Sequence, residues 1–275
     1  MRREKHAHVL DELAIPRHLK QHPVYRTPGL SFQPLPIARA ALPQRRLPEP
    51  GELHLWRFRA QRHAGLPEDT PPIVSRVEQH RARRGPSSAL NRRYLTGRAS
   101  LRAILSRMLA CPPEHLQFTD RPDGQPELLH PLPPRQLSIR IAYAGIWILI
   151  GMGASEFGIS AATPSGHDPT RGQQARPPAD AADAADANDA PESAPADPAE
   201  AQDFVRRSSA AALCKRPSAD WLPRLVAQNC AALIAEESSG NYLHVIDLPM
   251  PGRLNAAVAM REPVSVIRAY GWCRN

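Results

Sequence analysis

Lysine is nearly absent from this chain. Only Lys5, Lys20 and Lys215 are lysines, so the net charge of +8 is carried almost wholly by arginine. Guanidinium groups suit phosphate-bearing partners through bidentate contacts, although a GC-rich coding sequence would produce the same bias. Aromatic residues are scarce, at 5%, and no helix-turn-helix, zinc or RNA-recognition pattern occurs. That speaks against a nucleic-acid-binding protein, despite the excess of arginine over acids in residues 1–110. The four cysteines (Cys111, Cys214, Cys230 and Cys273) lie far apart with no C-x-x-C pair. A zinc ribbon and a disulfide framework are thereby disfavoured, and a reducing compartment fits. Long apolar runs are missing too. The longest, Ile141 to Met152, falls short of the roughly 20 residues a membrane helix needs. The N-terminal MRREKHAHVLDELAIPRH is basic without an apolar core, so no secretory signal and a cytoplasmic protein are expected.

Proline, by contrast, is plentiful, with 31 residues. Eight of them punctuate residues 1–50, which are expected to form a disordered, basic arm. ELHLWRFRA (52–60) reads as a strand that opens the fold. SRVEQHRARRG (75–85) and NRRYLTGRASLRAILSRMLA (91–110) read as helices, the second with apolar residues recurring at three and four. Pro112 and Pro113 stop it. LQFTDRPDGQPEL (116–128) predicts strand, Asp-Gly turn, strand. Further strands are expected within SIRIAYAGIWILIGMGASEFGISAA (138–162).

From 164 to 202 the composition turns small, acidic and proline-punctuated, which marks a linker or insertion. FVRRSSAAALCKR (204–216) reads as a helix, and WLPRLVAQNCAALIAEE (221–237) as partly helical. YLHVIDLPMPGRLNAAVAMRE (242–262) predicts strand, turn, strand. The expected organisation is an arm at 1–50, a first half at 51–163, the linker at 164–202, a second half at 203–262 and a tail at 263–275. The fold class is α/β (α+β), with two pseudo-symmetric halves, each a small sheet packed on a long helix.

In this order the pieces resemble the single-chain 4′-phosphopantetheinyl transferases of the surfactin-synthetase-activating type. LHLW (53–56) matches the opening strand of that family. RRYLTGRASLR (92–102) matches R-x-x-x-x-R-x-x-L-R, and DGQPEL matches x-G-K-P-x-L. RIAYA (140–144) stands at N-x-S-H-[ST], GISAA (158–162) at G-[IV]-D-x-E, and DLPMPGRLNAAVA at the final strand pair. The resemblance implies transfer of phosphopantetheine from coenzyme A to a serine of an acyl or peptidyl carrier protein. It also implies a magnesium ion on the Asp and Glu of G-[IV]-D-x-E and the Glu of a W-x-x-K-E helix. A monomer is expected, because the two halves would already make the pseudo-dimer.

Carried over by position, that chemistry is missing. Ser160 stands for the Asp, Ala162 for the Glu, Tyr143 for the His and Gln125 for the Lys of G-K-P. The W-x-x-K-E helix has two registers. The preferred one starts at Arg207 and puts Ala210 and Ala211 at Lys-Glu, with Lys215 at a later family lysine. The other starts at Trp221 and gives Arg224 and Leu225. Hydroxyl and methyl groups bring no charge to offset dehydration of a hard dication. Glu156 and Asp168 are the nearest substitute acids. Arg93 and Arg81 fall at or near family positions that contact coenzyme A, and Arg140 adds a cation in place of the family Asn. Three readings result: a degenerate transferase that binds coenzyme A or a carrier protein, an active holo-carrier-protein synthase with a rebuilt metal site, and a basic nucleic-acid-binding protein.

Overall fold

The computed structural model describes residues 16–37, 46–60, 73–85, 87–164, 193–194, 197–215, 224–236 and 240–273. Its first strand, β1 (Ser31–Leu35), contains Pro34 and lies at the edge of a sheet, where a missing N–H is tolerated. Strand β2 (Glu52–Arg59) is buried along all but its last residue. It has packing on both faces, so the alternation of Leu53 and Leu55 with His54 and Trp56 separates two interiors rather than interior from solvent.

Helix α1 (Arg76–Arg83) starts with a capping box between Ser75 and Glu78. Ser87 caps α2 (Ser88–Leu109), which ends on a left-handed Ala110 just before Pro112. The hairpin β3 (Gln117–Asp120) and β4 (Pro126–His130) turns through Asp123 and Gly124. The long apolar stretch then folds as β5 (Ser138–Ala144), β6 (Trp147–Gly153) and β7 (Phe157–Pro164). After the short β8 (Ser193–Ala194), Asp197 caps α3 (Pro198–Cys214). Strands β9 (Arg224–Asn229), β10 (Ala232–Glu236), β11 (Tyr242–Asp247), β12 (Asn255–Met260) and β13 (Val266–Tyr270) complete the order.

The first sheet runs β1-β13-β2-β6-β5 and the second β8-β7-β12-β11-β10-β9. Mixed α and β structure in packed layers is what the α+β expectation required. Helix α2 covers one face of the first sheet through Leu101, Ile104, Leu105 and Met108 against Trp56, Ile141, Ile148 and Ile150. The other face meets the second sheet across Leu53, Leu55, Leu149, Phe157, Ile159 and Val258. The far face of the second sheet carries α3. The layers are therefore helix, sheet, sheet, helix. Each fully buried Leu, Ile or Phe in them is worth roughly 1.5–3 kcal/mol of burial.

Three expectations need correction. Residues 224–236, expected to be partly helical, form the β9–β10 hairpin, because Leu233 and Ala235 alternate into the apolar layer under α3. Within the expected arm, residues 31–35 pair in parallel with β13. Within the expected tail, β13 sits between β1 and β2, with Ile267, Ala269 and Trp272 fully buried. Apolar side chains at every second position made 266–270 a strand once β2 offered an edge. The first sheet thus takes a strand from beyond residue 262.

Arg57 ties these layers together. Its guanidinium donates to the carbonyls of Pro249 at 3.2 Å and Gly271 at 2.7 Å, and lies 4.6 Å from the Trp272 ring centroid. Trp272 donates its indole N–H to the same Pro249 carbonyl at 2.6 Å. The loop before β12 and the end of β13 are so pinned to β2.

On the α2 side of β2, His54 is fully buried against Trp56 and Tyr270, whose rings stack 4.9 Å apart. Burial pushes its imidazole down to about 4, against the pull of Glu52 at 3.4 Å. The group is neutral in the fold and takes up a proton near 6.5 when unfolded. Its contribution to stability is complete above about pH 6.5 and is lost as pH falls toward 4. Urea titrations should therefore show about 2 kcal/mol less stability at pH 5 than at pH 8 from this group, a difference that His54→Phe removes. Equal pH slopes for the two proteins would contradict this.

Candidate functional site

Strand β7 alternates between two interiors. Phe157, Ile159 and Ala161 enter the layer between the sheets, whereas Gly158, Ser160 and Ala162 take the α3 side. A Cβ added to Gly158 would lie 1.8 Å from the Ser209 carbonyl oxygen. Glycine at 158 is what lets the α3 backbone rest directly on the strand. Ala162 then shares one apolar cluster with Ala201, Val205, Ala210, Ala211 and Ala257. Ser160 faces Ala257 across the β7–β12 ladder.

Positions Ser160, Ala162 and Ala211 thus stand on two elements in direct contact. The second register fails on geometry, since Arg224 and Leu225 belong to strand β9. What the three positions present is one hydroxyl and two methyl groups. Magnesium demands oxygen ligands in near-octahedral order and dehydrates reluctantly, so these residues do not fit it. Among the described residues, no three His, Cys, Asp or Glu side chains come together as a metal site.

Glu156, the nearest substitute acid, is held by other partners. Arg121 donates to its Oε1 at 2.8 Å and Lys215 approaches Oε2 at 3.7 Å. The Arg121 hydrogen bond keeps its carboxyl below the usual range. Asp168 lies outside the described residues.

The candidate cationic residues are engaged within the fold. Arg93 is buried at 7% exposure, donates to the Gly145 carbonyl at 2.9 Å and lies 5.1 Å from the Tyr143 ring centroid. Tyr143 itself points into the α2 layer, where its hydroxyl meets Gly97; a Cβ there would fall 2.7 Å from it. Arg140 is 2% exposed; it donates to Asp123 at 2.7 Å and to the Phe157 carbonyl at 3.0 Å. Gln125, at the family Lys position, both donates to and accepts from the backbone of Ile141. Arg81 pairs with Asp120 and is the most exposed of the three arginines, at 31%. Tyr143 and Arg140 point to opposite faces of strand β5, Arg93 reaches the turn after it from α2, and Arg81 belongs to α1. The structure does not gather all four around one point.

Reading the sequence for function missed Glu78. This acid is 4% exposed and binds both Arg98, at 2.7 Å, and Arg102, at 3.0 Å. Arg98 also reaches Asp120 at 3.2 Å, and the Phe118 ring lies beneath both guanidinium groups. Burial works against the charge on Glu78, but Arg98, the Ser75 N–H and Arg102 together hold its carboxyl below the usual range. Two residues of the family-like R-x-x-x-x-R-x-x-L-R helix are therefore clamps that fasten α1 and the β3–β4 hairpin to α2. The signal was present: Ser75-x-x-Glu78 is a capping box, and Arg98 and Arg102 stand one turn apart on α2.

No family model matches the chain. A stretch of 80 residues is 38% identical to a Synechocystis sp. (strain ATCC 27184 / PCC 6803 / Kazusa) protein named "Putative 4'-phosphopantetheinyl transferase slr0495". The match covers 29% of this chain and 32% of the relative, so the chain spans about a third of the length of the curated relative it matches. It supports the superfamily and reaches no further. Among the described residues, no helix is long and apolar enough to cross a membrane.

Removing the buried acid should expose the weight of the clamp. Glu78→Gln leaves two buried guanidinium groups short of a counter-charge, and chemical denaturation should show a loss of about 3 kcal/mol. A change under about 1 kcal/mol would mean that water reaches the network.

Proposed function

We propose that this chain is a 4′-phosphopantetheinyl transferase-type scaffold that binds coenzyme A or a carrier protein without carrying out magnesium-dependent transfer. The superfamily part of this reading rests on the partial relative and the ordered motifs from LHLW to DLPMPGRLNAAVA. The missing chemistry rests on one observation: Ala162 and Ala211 share an apolar cluster where the resemblance calls for carboxylates.

Transfer from coenzyme A needs the pyrophosphate charge neutralised and the carrier serine deprotonated. Three carboxylates perform those tasks in the family. Here the α3 contact with β7 supplies neither a ligand set for the ion nor a base of suitable strength. Binding makes smaller demands, since guanidinium groups hold phosphate oxygens without a metal. Of the candidate cations, Arg81 is the one with solvent access at its present position. Contact through Arg93 or Arg140 would require each to give up a hydrogen bond inside the fold.

A rebuilt metal site is the weaker alternative, because Glu156 already faces two cations. The test is mass spectrometry of an acyl carrier protein after incubation with the full chain, coenzyme A and magnesium. The carrier should emerge unmodified. A mass gain of one phosphopantetheine, absent from a reaction without the chain, would overturn the proposal.

A further inference from the structure

The outer face of α1 is built from cations and one valine. Arg76, His80, Arg83 and Arg84 are exposed, and Val77 among them is 76% exposed. Positions 76, 77, 80, 83 and 84 recur at intervals of one, three and four, which helix geometry gathers on one side. Glu78, the acid of this helix, turns inward to Arg98 and Arg102. Among the described residues, no carboxylate pairs with Arg76, Arg83 or Arg84.

Packing does not explain this face. The buried positions of α1 are Glu78 and Ala82 alone, so the helix is held by its ion pairs and its capping box rather than by an apolar stripe.

We infer that this face docks a protein surface that is acidic at its rim and apolar at its centre. Three guanidinium groups without acids of their own call for carboxylates opposite them, which would steer encounter and fix register. A large exposed apolar side chain in their midst calls for an apolar contact that excludes water. A nucleic-acid backbone answers the first demand and not the second, and the face has no aromatic ring on which bases could stack. Arg81, the candidate coenzyme A contact on the same helix, pairs with Asp120 and is not among these residues, so the inference goes beyond the coenzyme A reading and stands without it.

Fluorescence anisotropy with the full chain tests it, using three labelled probes: an amphipathic Glu/Leu helix peptide, the same peptide with Ser for Leu, and a mixed-sequence DNA duplex. The Glu/Leu peptide should bind about tenfold more tightly than the Glu/Ser peptide. The combined change Arg76→Glu, Arg83→Glu, Arg84→Glu should abolish that binding, and Val77→Ser should weaken it about fivefold. Circular dichroism melts of both variants should match the parent, because every altered side chain is exposed. Equal affinity for the two peptides would overturn the inference, as would undiminished binding by either variant. Tighter binding of the duplex, lost on charge reversal, would assign the face to nucleic acid instead.

Discussion

The approach of α3 to β7 at Gly158 decides which side chains fit between the helix and the second sheet. With no side chain at 158, the helix backbone rests on the strand, and everything opposite the helix at 160 and 162 must fit the remaining gap. In that gap stand Ala162, Ala210 and Ala211, in contact with Val205 and Ala257. A close, apolar contact of this kind is stabilised by burial and dispersion. It is also the wrong environment for an ion that needs several oxygen ligands. The geometry that would bring acids together across a helix and a strand instead brings methyl groups together.

Arginine plays a different part from the one its abundance suggests. Arg57, Arg93, Arg98, Arg102 and Arg140 are all buried. Each bonds carbonyls or carboxylates of the fold, although Arg57 Nε and Arg140 Nη2 are buried without a hydrogen-bond partner. Their long stems pack while the planar heads bond, which lysine ammonium groups do less well. Among the exposed cations, those of α1 cluster on one side of a helix whose acid, Glu78, is turned inside.

The sequence made most of the elements legible. Periodicity located α2, SRVEQHRARRG was read as the helix that became α1, and the Asp123-Gly124 turn located the β3–β4 hairpin. The identities of Ser160 and Ala162 needed only to be read off, but that they lie against α3 did not show in the sequence. Residues 224–236 misled because a short apolar run fits helix and strand alike until α3 and β11 decide between them. Strand β13 misled for a related reason: a five-residue strand with no hairpin partner in sequence pairs only with β1 and β2, each more than 200 residues away. The roles of Arg93 and Arg98 were hidden because a guanidinium looks the same in sequence whether it meets a ligand or a buried carboxylate. Only the position of Glu78 and of the Gly145 carbonyl tells them apart.

The central claim is that the fold has kept a binding scaffold and lost its use for magnesium. Isothermal titration of coenzyme A into the full chain, with and without magnesium chloride, addresses it most directly. The account predicts measurable heat of binding with the same affinity in both titrations. Binding that appears or tightens about tenfold or more only when magnesium is present would contradict it.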